Sequence, residues 1–439
     1  MRTTDAALLN DHQVQSFLRD GYITVDADLP ADFHAGLHGQ ICRLFASEGN
    51  PGNDILPKVP DLRQVLAQPS VAGALASLLG PDYLLHPHRH CHQNLAGSQG
   101  QRMHQDSYEA DQNVRHHRLR WLMAFYYPQD VDGRMGPSSI VPKTQYLTAE
   151  DQHGSADELP LEGRAGTVAI VHYDLWHRAM ANTGERDRFM VKFLFTRMSE
   201  PHTTAWRHED PAWASTVSAD DAVCAHLWDW MRGETEAARS PKPGVRELSD
   251  GLTAGTEMDR YDAAYQLGTT GSEGVEALME ALRQEGGRRV QANIERSHTN
   301  PAQFEAAYGL TVASSAAVPA LTELLKDEAW WLRASAADIL GDIGLPAAAG
   351  SGALRAALTD ESEWVRRNAV EALGTIEPSS AGASASTITR CLTDPSDAVR
   401  HNAALALARI GGGEAAALRA AKDDTNRYVR ELAAEALTR

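Results

Sequence analysis

Cysteine is scarce in this sequence, which holds four cysteines in 439 residues. They stand far apart, and no two of them form a CxxC pair: Cys42, Cys91, Cys224 and Cys391. This spacing excludes a disulfide-stabilised small scaffold and a cysteine-based zinc site. We therefore expect four reduced thiols, buried or incidental, in a reducing compartment such as the cytoplasm.

Long apolar runs and an excess of basic residues are also missing. The opening MRTTDAALLNDHQ lacks the apolar core of a secretory signal peptide, and no later run approaches the roughly 18 apolar residues of a membrane-spanning helix. Lys and Arg number 41 against 59 Asp and Glu, which gives a net charge of −18. General nucleic-acid and membrane-surface binders need a basic face. We predict a soluble, cytoplasmic protein with neither partner.

The chain is long enough for about two or three domains. Its first part, residues 1–210, opens with an amphipathic helix over residues 8–20, which Asn10 or Asp11 would cap and Gly21 would end. Short strand patterns follow, separated by turns that contain glycine or proline, at residues 83–95, 120–129, 138–144, 166–173 and 189–198. Such a series predicts a double-sheet β architecture of the jelly-roll type with helices beside it.

The C-terminal part is rich in alanine and leucine, and it repeats. A helical linker at 211–254 leads into residues 255–439, where an aspartate recurs six residues before an arginine. The four pairs recur every 30 to 34 residues: Asp327/Arg333, Asp360/Arg366, Asp394/Arg400 and Asp424/Arg430. This period predicts an all-α solenoid that resembles HEAT-like repeats, in which each pair ties one helix pair to the next. We expect this region to bind or brace rather than catalyse.

Three His-x-Asp pairs offer a metal-binding carboxylate beside a histidine: His104/Asp106, His172/Asp174 and His208/Asp210. Side chains two apart on a strand project the same way, as facial metal coordination requires. A third ligand must arrive from another strand. The first pair has His177 after several intervening strands, whereas the second pair lies too close to that histidine and the third lies outside the strand series. Two histidines and one carboxylate form the facial triad of non-haem Fe(II) oxygenases.

Arg188 opens the strand that follows His177 across the turn Asn182-Thr183-Gly184. If the strands of His177 and Arg188 pair antiparallel, Arg188 points into the metal cavity and can hold the carboxylate of an anionic cosubstrate. The alternative is a surface arginine at a hairpin, and Arg186 is its nearest rival.

These residues resemble the phytanoyl-CoA dioxygenase family of Fe(II)/2-oxoglutarate oxygenases. The opening LNDHQVQSFLRDGYITV is similar to the start of that family. MHQDS matches its His-x-Asp segment, GPSSIVPKTQ resembles its turn and strand before a long loop, and HRAMANTGERDR matches its distal histidine and arginine. The resemblance covers nearly half of the chain.

The resemblance implies a double-stranded β-helix with iron on His104, Asp106 and His177, and 2-oxoglutarate on Arg188. It also implies contacts from Ser138 and from an amide, Gln101 or Asn94, to the cosubstrate. The chain departs from the family at Lys143-Thr144-Gln145, where Gly-Ser-His is usual, and at Ala179, where a small hydroxyl residue is common. Those departures bear on the substrate and on the finer cosubstrate contacts.

The implied reaction consumes O2 and 2-oxoglutarate, releases succinate and CO2, and oxidises a C–H bond of a small metabolite, as in secondary metabolism. Asp106 favours hydroxylation or desaturation, since iron halogenases carry Gly or Ala at that position. The motifs do not specify the substrate. Pocket candidates, for most of which plain core packing is the simpler interpretation, are His90, His92, Tyr108, Trp121, Phe125, Tyr126 and Tyr127.

Two further interpretations belong to other classes. In one, the helical repeats are the function, as a protein-binding or self-associating surface, and the β domain is vestigial. In the other, a cupin-like metalloenzyme acts without 2-oxoglutarate. An intact triad with Arg188 favours the oxygenase over both.

Overall fold

The structure is a computed structural model that describes residues 7–106, 117–148, 157–214, 221–234, 244–291, 305–376 and 383–439. The chain divides into two compact units. A β-rich unit contains residues 1–106, 119–198 and 203–214, and a helical unit contains residues 107–118, 199–202 and 215–439. The predicted boundaries at 210 and 254 stay predictions.

The β-rich unit begins with helices that pack on its sheets. They are α1 (Asp11–Asp20), α2 (Ala31–Glu48), α3 (Ile55–Lys58), α4 (Leu62–Leu66) and α5 (Pro69–Leu79). The predicted cap of α1 is confirmed: Asn10 accepts a hydrogen bond from the Gln13 backbone, and Gly21 ends the helix in the left-handed region at φ +80°. Val14, Phe17 and Leu18 are buried on the inner face of this helix.

In the described residues of this unit, eight strands form two sheets. They are β1 (Tyr22–Asp26), β2 (Tyr83–Asn94), β3 (Trp121–Tyr126), β4 (Ser138–Ile140), β5 (Leu159–Pro160), β6 (Thr167–His172), β7 (His177–Ala179) and β8 (Arg188–Arg197). The larger sheet has the order β1-β6-β3-β8-β2, and the smaller has the order β5-β4-β7. Every residue of β3, β6 and β8 is buried, so these antiparallel strands form the centre of the core.

The strand pairing that was the condition for placing Arg188 in the metal cavity is not present. The strand of His177 does not pair with the strand of Arg188, because β7 pairs with β4 in the small sheet while β8 pairs with β2 and β3 in the large one. Residues 180–187 therefore cross from one sheet to the other instead of forming a hairpin. The two residues approach from opposite sheets, which periodicity along one strand cannot reveal.

The pairing of β2 with β8 is irregular in the first half of β2. Leu85 pairs with Phe195 and Arg89 with Phe193, so the three β2 residues between these pairs stand opposite one residue of β8, in an irregular bulge. Asn53, in the short helical turn before α3, stabilises this bulge. Its side-chain oxygen accepts a hydrogen bond from the Arg89 backbone, and its backbone carbonyl accepts one from the Arg89 guanidinium. Beyond the bulge the pairing is regular from His90 onwards.

The described part of the helical unit is built of helices and short helical turns. Its helices are α6 (Asp221–Met231), α7 (Val245–Gly251), α8 (Glu257–Gly268), α9 (Ser272–Gln291), α10 (Glu305–Ala313), α11 (Val318–Leu324), α12 (Trp330–Ile343), α13 (Ser351–Ala357), α14 (Glu363–Ile376), α15 (Ala385–Arg390), α16 (Asp397–Ile410), α17 (Ala415–Ala421) and α18 (Arg427–Ala436). In the described residues, no helix is long and apolar enough to cross a membrane.

The recurring aspartate and arginine form a ladder between successive repeats, as predicted. Arg366 donates two hydrogen bonds of 2.8 and 2.9 Å to the carboxylate of Asp394 in the next repeat, and a third to the backbone carbonyl of Asp360 in its own. Arg333 contacts Asp360 in the same way, and Arg400 contacts Asp424. A planar guanidinium can serve both partners at once because its donors point in fixed, separate directions.

Candidate metal centre

Three predicted ligands meet in the β-rich unit. His104 forms a β-bridge with His177, in which the two backbones exchange hydrogen bonds of 3.0 and 2.9 Å. Asp106 lies between them: its carboxylate oxygens are 3.8 Å from Nε2 of His104 and 3.7 Å from Nε2 of His177. The three ligand atoms lie within 4.8 Å of one another. One ion can contact all three with a small closing movement.

Both histidines are held with Nε2 toward the carboxylate. Nδ1 of His104 contacts the Arg102 carbonyl at 2.9 Å, and Nδ1 of His177 contacts the Leu175 carbonyl at the same distance. A carbonyl can only accept a hydrogen bond, so each Nδ1 carries the proton and each Nε2 presents a lone pair. A backbone contact of this kind orients metal-binding histidines in proteins.

Asp106 is buried and has a cationic neighbour that the sequence prediction missed. Lys192 on β8 donates to its second oxygen at 2.6 Å. Burial alone would raise the pKa of Asp106, but the charge of Lys192 and the nearby histidines outweigh that effect, so the pKa lies below its usual value. Burial lowers the pKa of His177 to about 4. At neutral pH the site therefore presents an anionic carboxylate and a neutral imidazole, the forms that bind a metal ion.

The competing His-x-Asp pairs have structural partners. His208 and the backbone of Asp210 both donate to the carboxylate of Asp11 at the start of α1. The backbone amide of Asp174 donates to Nδ1 of His172 within a buried turn. Among the described residues, His104, Asp106 and His177 are the one cluster with the composition and spacing of a metal site.

Arg188 is fully buried in the same unit. Its Nε and one terminal nitrogen donate to the carbonyl of Gly136 at 3.1 and 2.9 Å. Its other terminal nitrogen, Nη1, is buried and has no hydrogen-bond partner among the described residues. A buried guanidinium with an unsatisfied donor is costly unless an acceptor completes it. A carboxylate would do so, which fits the implied cosubstrate. Arg186, its rival, is more exposed and lies against the sulfur of Met135.

Gly136 places the carbonyl that orients Arg188. It has φ +64° and ψ +63°, and its carbonyl also accepts from Nδ2 of Asn94 at 2.8 Å. A β-carbon on Gly136 would lie 2.4 Å from that nitrogen and 2.6 Å from the carbonyl of Met180. The backbone can pass here only because the residue has no side chain.

The remaining predicted cosubstrate contacts differ in how their groups are used. Both amide hydrogens of Asn94 go to backbone carbonyls, of Gly136 and Met180, which gives this side chain a structural role. The Gln101 carbonyl accepts from the backbone of Ala179 at 3.1 Å. Ser138 is buried opposite Ala179, and its backbone donates to the Tyr127 hydroxyl. Their contacts with 2-oxoglutarate stay predictions.

The predicted pocket aromatics divide between the site and the core. The ring of Phe125 lies 5.8 Å from that of His177, so this residue faces the centre. Tyr126 faces away, since its hydroxyl contacts Nδ1 of His34 on α2. Trp121 packs edge-on against His86 near the bulge. Tyr108 lies outside the described residues.

Lys192 could have been found from the sequence. It is four residues beyond Arg188 on one strand, and strand residues two and four apart share a face. Once Arg188 is placed in the cavity, Lys192 must follow it there. The motif that selects Arg188 does not include position 192. Lys192 was therefore interpreted only as part of the strand FMVKFLF.

A family model described as phytanoyl-CoA dioxygenase (PhyH) matches residues 19–190. This span contains the three clustered ligands and Arg188 in the order that the family resemblance implied. Residues 19–190 form a PhyH domain. Further models match the helical unit, as HEAT repeats at residues 352–438 and as a PBS lyase HEAT-like repeat at residues 259–284. The predicted combination of a PhyH domain with HEAT repeats is confirmed, and it supports an oxidoreductase that uses iron and 2-oxoglutarate.

A comparison with curated proteins finds no match. Among solved structures, the chain is similar to the non-haem alpha-ketoglutarate-dependent carbocyclase SnoK from nogalamycin biosynthesis, with 20% identity and a TM-score of 0.37 over 45% of this chain and 88% of that one. It is also similar to EctD from S. alaskensis with 2-oxoglutarate and 5-hydroxyectoine, with 18% identity and a TM-score of 0.38 over 45% and 79%. Because these TM-scores are low, the likenesses carry no functional inference.

Proposed function

We propose that this chain is an Fe(II)- and 2-oxoglutarate-dependent dioxygenase that hydroxylates a C–H bond of a small metabolite. The observation that carries the proposal is a preorganised His104–Asp106–His177 cluster in the same unit as a buried arginine with an unsatisfied donor. The PhyH match over the same residues supports it. Neither feature alone would distinguish this function from that of a cupin-like metalloenzyme.

In this proposal, Nε2 of His104, Nε2 of His177 and one oxygen of Asp106 hold the iron, and three coordination positions stay open. When bound, iron and 2-oxoglutarate activate O2, and the products are succinate, CO2 and an oxidised substrate. Lys192 would keep the second oxygen of Asp106 occupied, so the carboxylate binds through one oxygen and does not cover an open position.

Arg188 would hold the far carboxylate of 2-oxoglutarate. The carbonyl of Gly136 fixes two of its nitrogens and leaves Nη1 to donate. The hydroxyl of Tyr127, which accepts from the Ser138 backbone, retains its own hydrogen for the same carboxylate. Ser138, Gln101 and Asn94 stay candidates for further contacts.

Anaerobic titration tests the proposal. Fe(II) and 2-oxoglutarate added together should produce a weak visible charge-transfer band in the wild-type protein. His104→Ala and Asp106→Ala should abolish this band because each removes a ligand. A wild-type protein with no band and no affinity for 2-oxoglutarate would refute the oxygenase assignment, and iron binding without 2-oxoglutarate binding would favour the cupin-like alternative.

The arginine assignment has a matched control two residues before β8. Arg188→Met should lower the affinity for 2-oxoglutarate by about 10- to 100-fold, since a charge-assisted hydrogen bond is worth about 1.5–3 kcal/mol. Iron binding should persist because Arg188 is not a ligand. Arg186→Met removes the same charge two residues away and should leave the 2-oxoglutarate affinity unchanged. Equal losses in the two variants would show a general charge effect instead.

The finer architecture belongs to the same proposal. The two antiparallel sheets support a double-stranded β-helix for the PhyH domain, and the repeated helix pairs support a HEAT-like solenoid for the helical unit. We assign the solenoid a binding role, as a docking surface for a protein partner or a second copy of the chain. Sedimentation of the full chain across a concentration series tests self-association directly.

A further inference from the structure

Polar side chains of β2 and β8 line one face of the large sheet. His90 pairs with Lys192, His92 with Met190, and Asn94 with Arg188. Residues directly opposite in an antiparallel pair project to the same face, and so do residues two apart along each strand. His90 and His92 therefore share the face of Lys192 and Arg188.

This face is the one that carries the metal centre. Lys192 reaches Asp106 from it. On the neighbouring strand β3, Phe125 pairs with Lys192 and projects to the same face of the sheet. The ring of Phe125 lies near that of His177. The wall formed by His90, His92 and Lys192, which we call the basic wall, thus lies beside the proposed iron site.

Positive charge predominates among the charged side chains that act on His92. Lys192 and Arg188 are positive, and Asp106 is negative. Fe(II) and 2-oxoglutarate, which the proposed function adds, carry opposite charges of equal size. Lys192 already pairs with Asp106, but in the proposed function this carboxylate also binds the iron. A further anion beside Lys192 would therefore be stabilised.

The two histidines add hydrogen bonding without adding charge. Their rings lie 4.8 Å apart, and burial together with the charge of Lys192 lowers the pKa of each below its usual value. Nε2 of His90 is within 3.2 Å of the Asn50 amide. Nε2 of His92 is buried, and the described part of the chain gives it no hydrogen-bond partner. Lys192 has three N–H donors and uses one of them for Asp106, so two remain. His92 can donate through Nε2.

We infer that the substrate carries one carboxylate, which Lys192 and His92 bind on the basic wall beside the iron. This inference rests on the proposed function and names the class of its substrate. Neither residue belongs to the motifs that define the metal ligands or the cosubstrate arginine. Both would act on specificity by holding the substrate and orienting its C–H bond.

Calorimetry with matched probes tests the inference. Full-length protein is loaded anaerobically with Zn(II), a redox-inert substitute for iron, and with 2-oxoglutarate. It is then titrated with benzoate, hexanoate and acetate, and with the corresponding amides, which have nearly the same shape and no charge. We expect at least one carboxylate to bind at least tenfold more tightly than its amide, given the strength of a charge-assisted hydrogen bond.

Variants assign the preference to the basic wall. Lys192→Met should abolish it, and Lys192→Arg should restore it because the charge is retained. His92→Leu should weaken carboxylate binding, whereas His92→Gln, which can still donate, should weaken it less. His92 is not one of the proposed metal ligands, so the two His92 variants decide the question if Lys192→Met loses the metal.

The outcomes separate the two proposals. A wild-type protein without the Fe(II)–2-oxoglutarate band refutes the proposed function. A protein that shows the band but binds acids and amides equally, or binds neither, overturns the carboxylate inference and leaves the function standing. Full carboxylate preference in both Lys192→Met and His92→Leu would also overturn it.

Discussion

Gly136→Ala is expected to damage the cosubstrate site without touching the cosubstrate. Alanine at φ +64° costs about 1 kcal/mol more than glycine, because its β-carbon crowds its own backbone. That β-carbon would also lie 2.4 Å from Nδ2 of Asn94, 2.6 Å from the Met180 carbonyl and 2.8 Å from the Asn182 amide. Two of these atoms are backbone, so the chain must shift, at an overpacking cost of about 1–3 kcal/mol. The free energy of unfolding should fall by roughly 2–4 kcal/mol.

The same shift should move the carbonyl that orients Arg188. We therefore expect Gly136→Ala to weaken 2-oxoglutarate binding by about tenfold or more, while iron binding by the more distant triad persists. Equilibrium denaturation measures the first effect, and anaerobic titration of the charge-transfer band measures the second.

Gly97→Ala is the matched control. Gly97 has φ +80°, and a β-carbon there meets nothing within 4 Å. It should lose about 1 kcal/mol from the backbone effect alone and keep its 2-oxoglutarate affinity. If Gly136→Ala is no less stable than Gly97→Ala, or binds 2-oxoglutarate as tightly as the wild type, the packing argument around Arg188 is wrong.

Three further predictions concern stability. Arg366→Met breaks the bidentate contact with Asp394, so urea denaturation should show that the free energy of unfolding falls by roughly 2–3 kcal/mol. A loss below about 0.5 kcal/mol would show that the Asp–Arg ladder does not stabilise the helical unit. Gly341→Ala should destabilise the helical unit, because its β-carbon would lie 2.8 Å from the backbone of a neighbouring helix. A β-carbon on Gly287 meets nothing within 4 Å, so Gly287→Ala should stabilise the helical unit by about 0.5–1 kcal/mol through helix propensity. Hydrogen bonds outweigh burial and lower the pKa of Asp11 to about 2, so its stabilisation is present above pH 3.8 and disappears as the pH falls toward 2. The stability difference between the wild type and Asp11→Asn should therefore shrink on acidification from about pH 5 to about pH 3, and a constant difference would contradict this assignment.

Local patterns were enough to predict much of the fold. The cap of α1, the positions of β3, β6 and β8, and the repeating Asp–Arg pairs all follow from residues close together in the sequence. The motif search likewise selected His104 over His172 and His208, because each candidate could be judged by its spacing from other ligands.

Contacts between distant residues were not predictable in the same way. The sequence suggested a hairpin from His177 to Arg188, but the two strands belong to different sheets, since strand pairing depends on the whole core and not on the connecting turn. Nothing in the sequence indicates that Asn94 donates to the carbonyls of Gly136 and Met180, which lie 42 and 86 residues away from it.

The sequence by itself determined which groups carry chemistry: two histidines, an aspartate and an arginine, whose types and order limit what they can bind. Only the tertiary structure decided how those groups are held and what stands beside them. It placed Lys192 against Asp106 and left a buried nitrogen of Arg188 and one of His92 without partners. The reason is physical: ligand identity is a property of single side chains, whereas burial, charge balance and unsatisfied hydrogen bonds depend on residues that folding brings together.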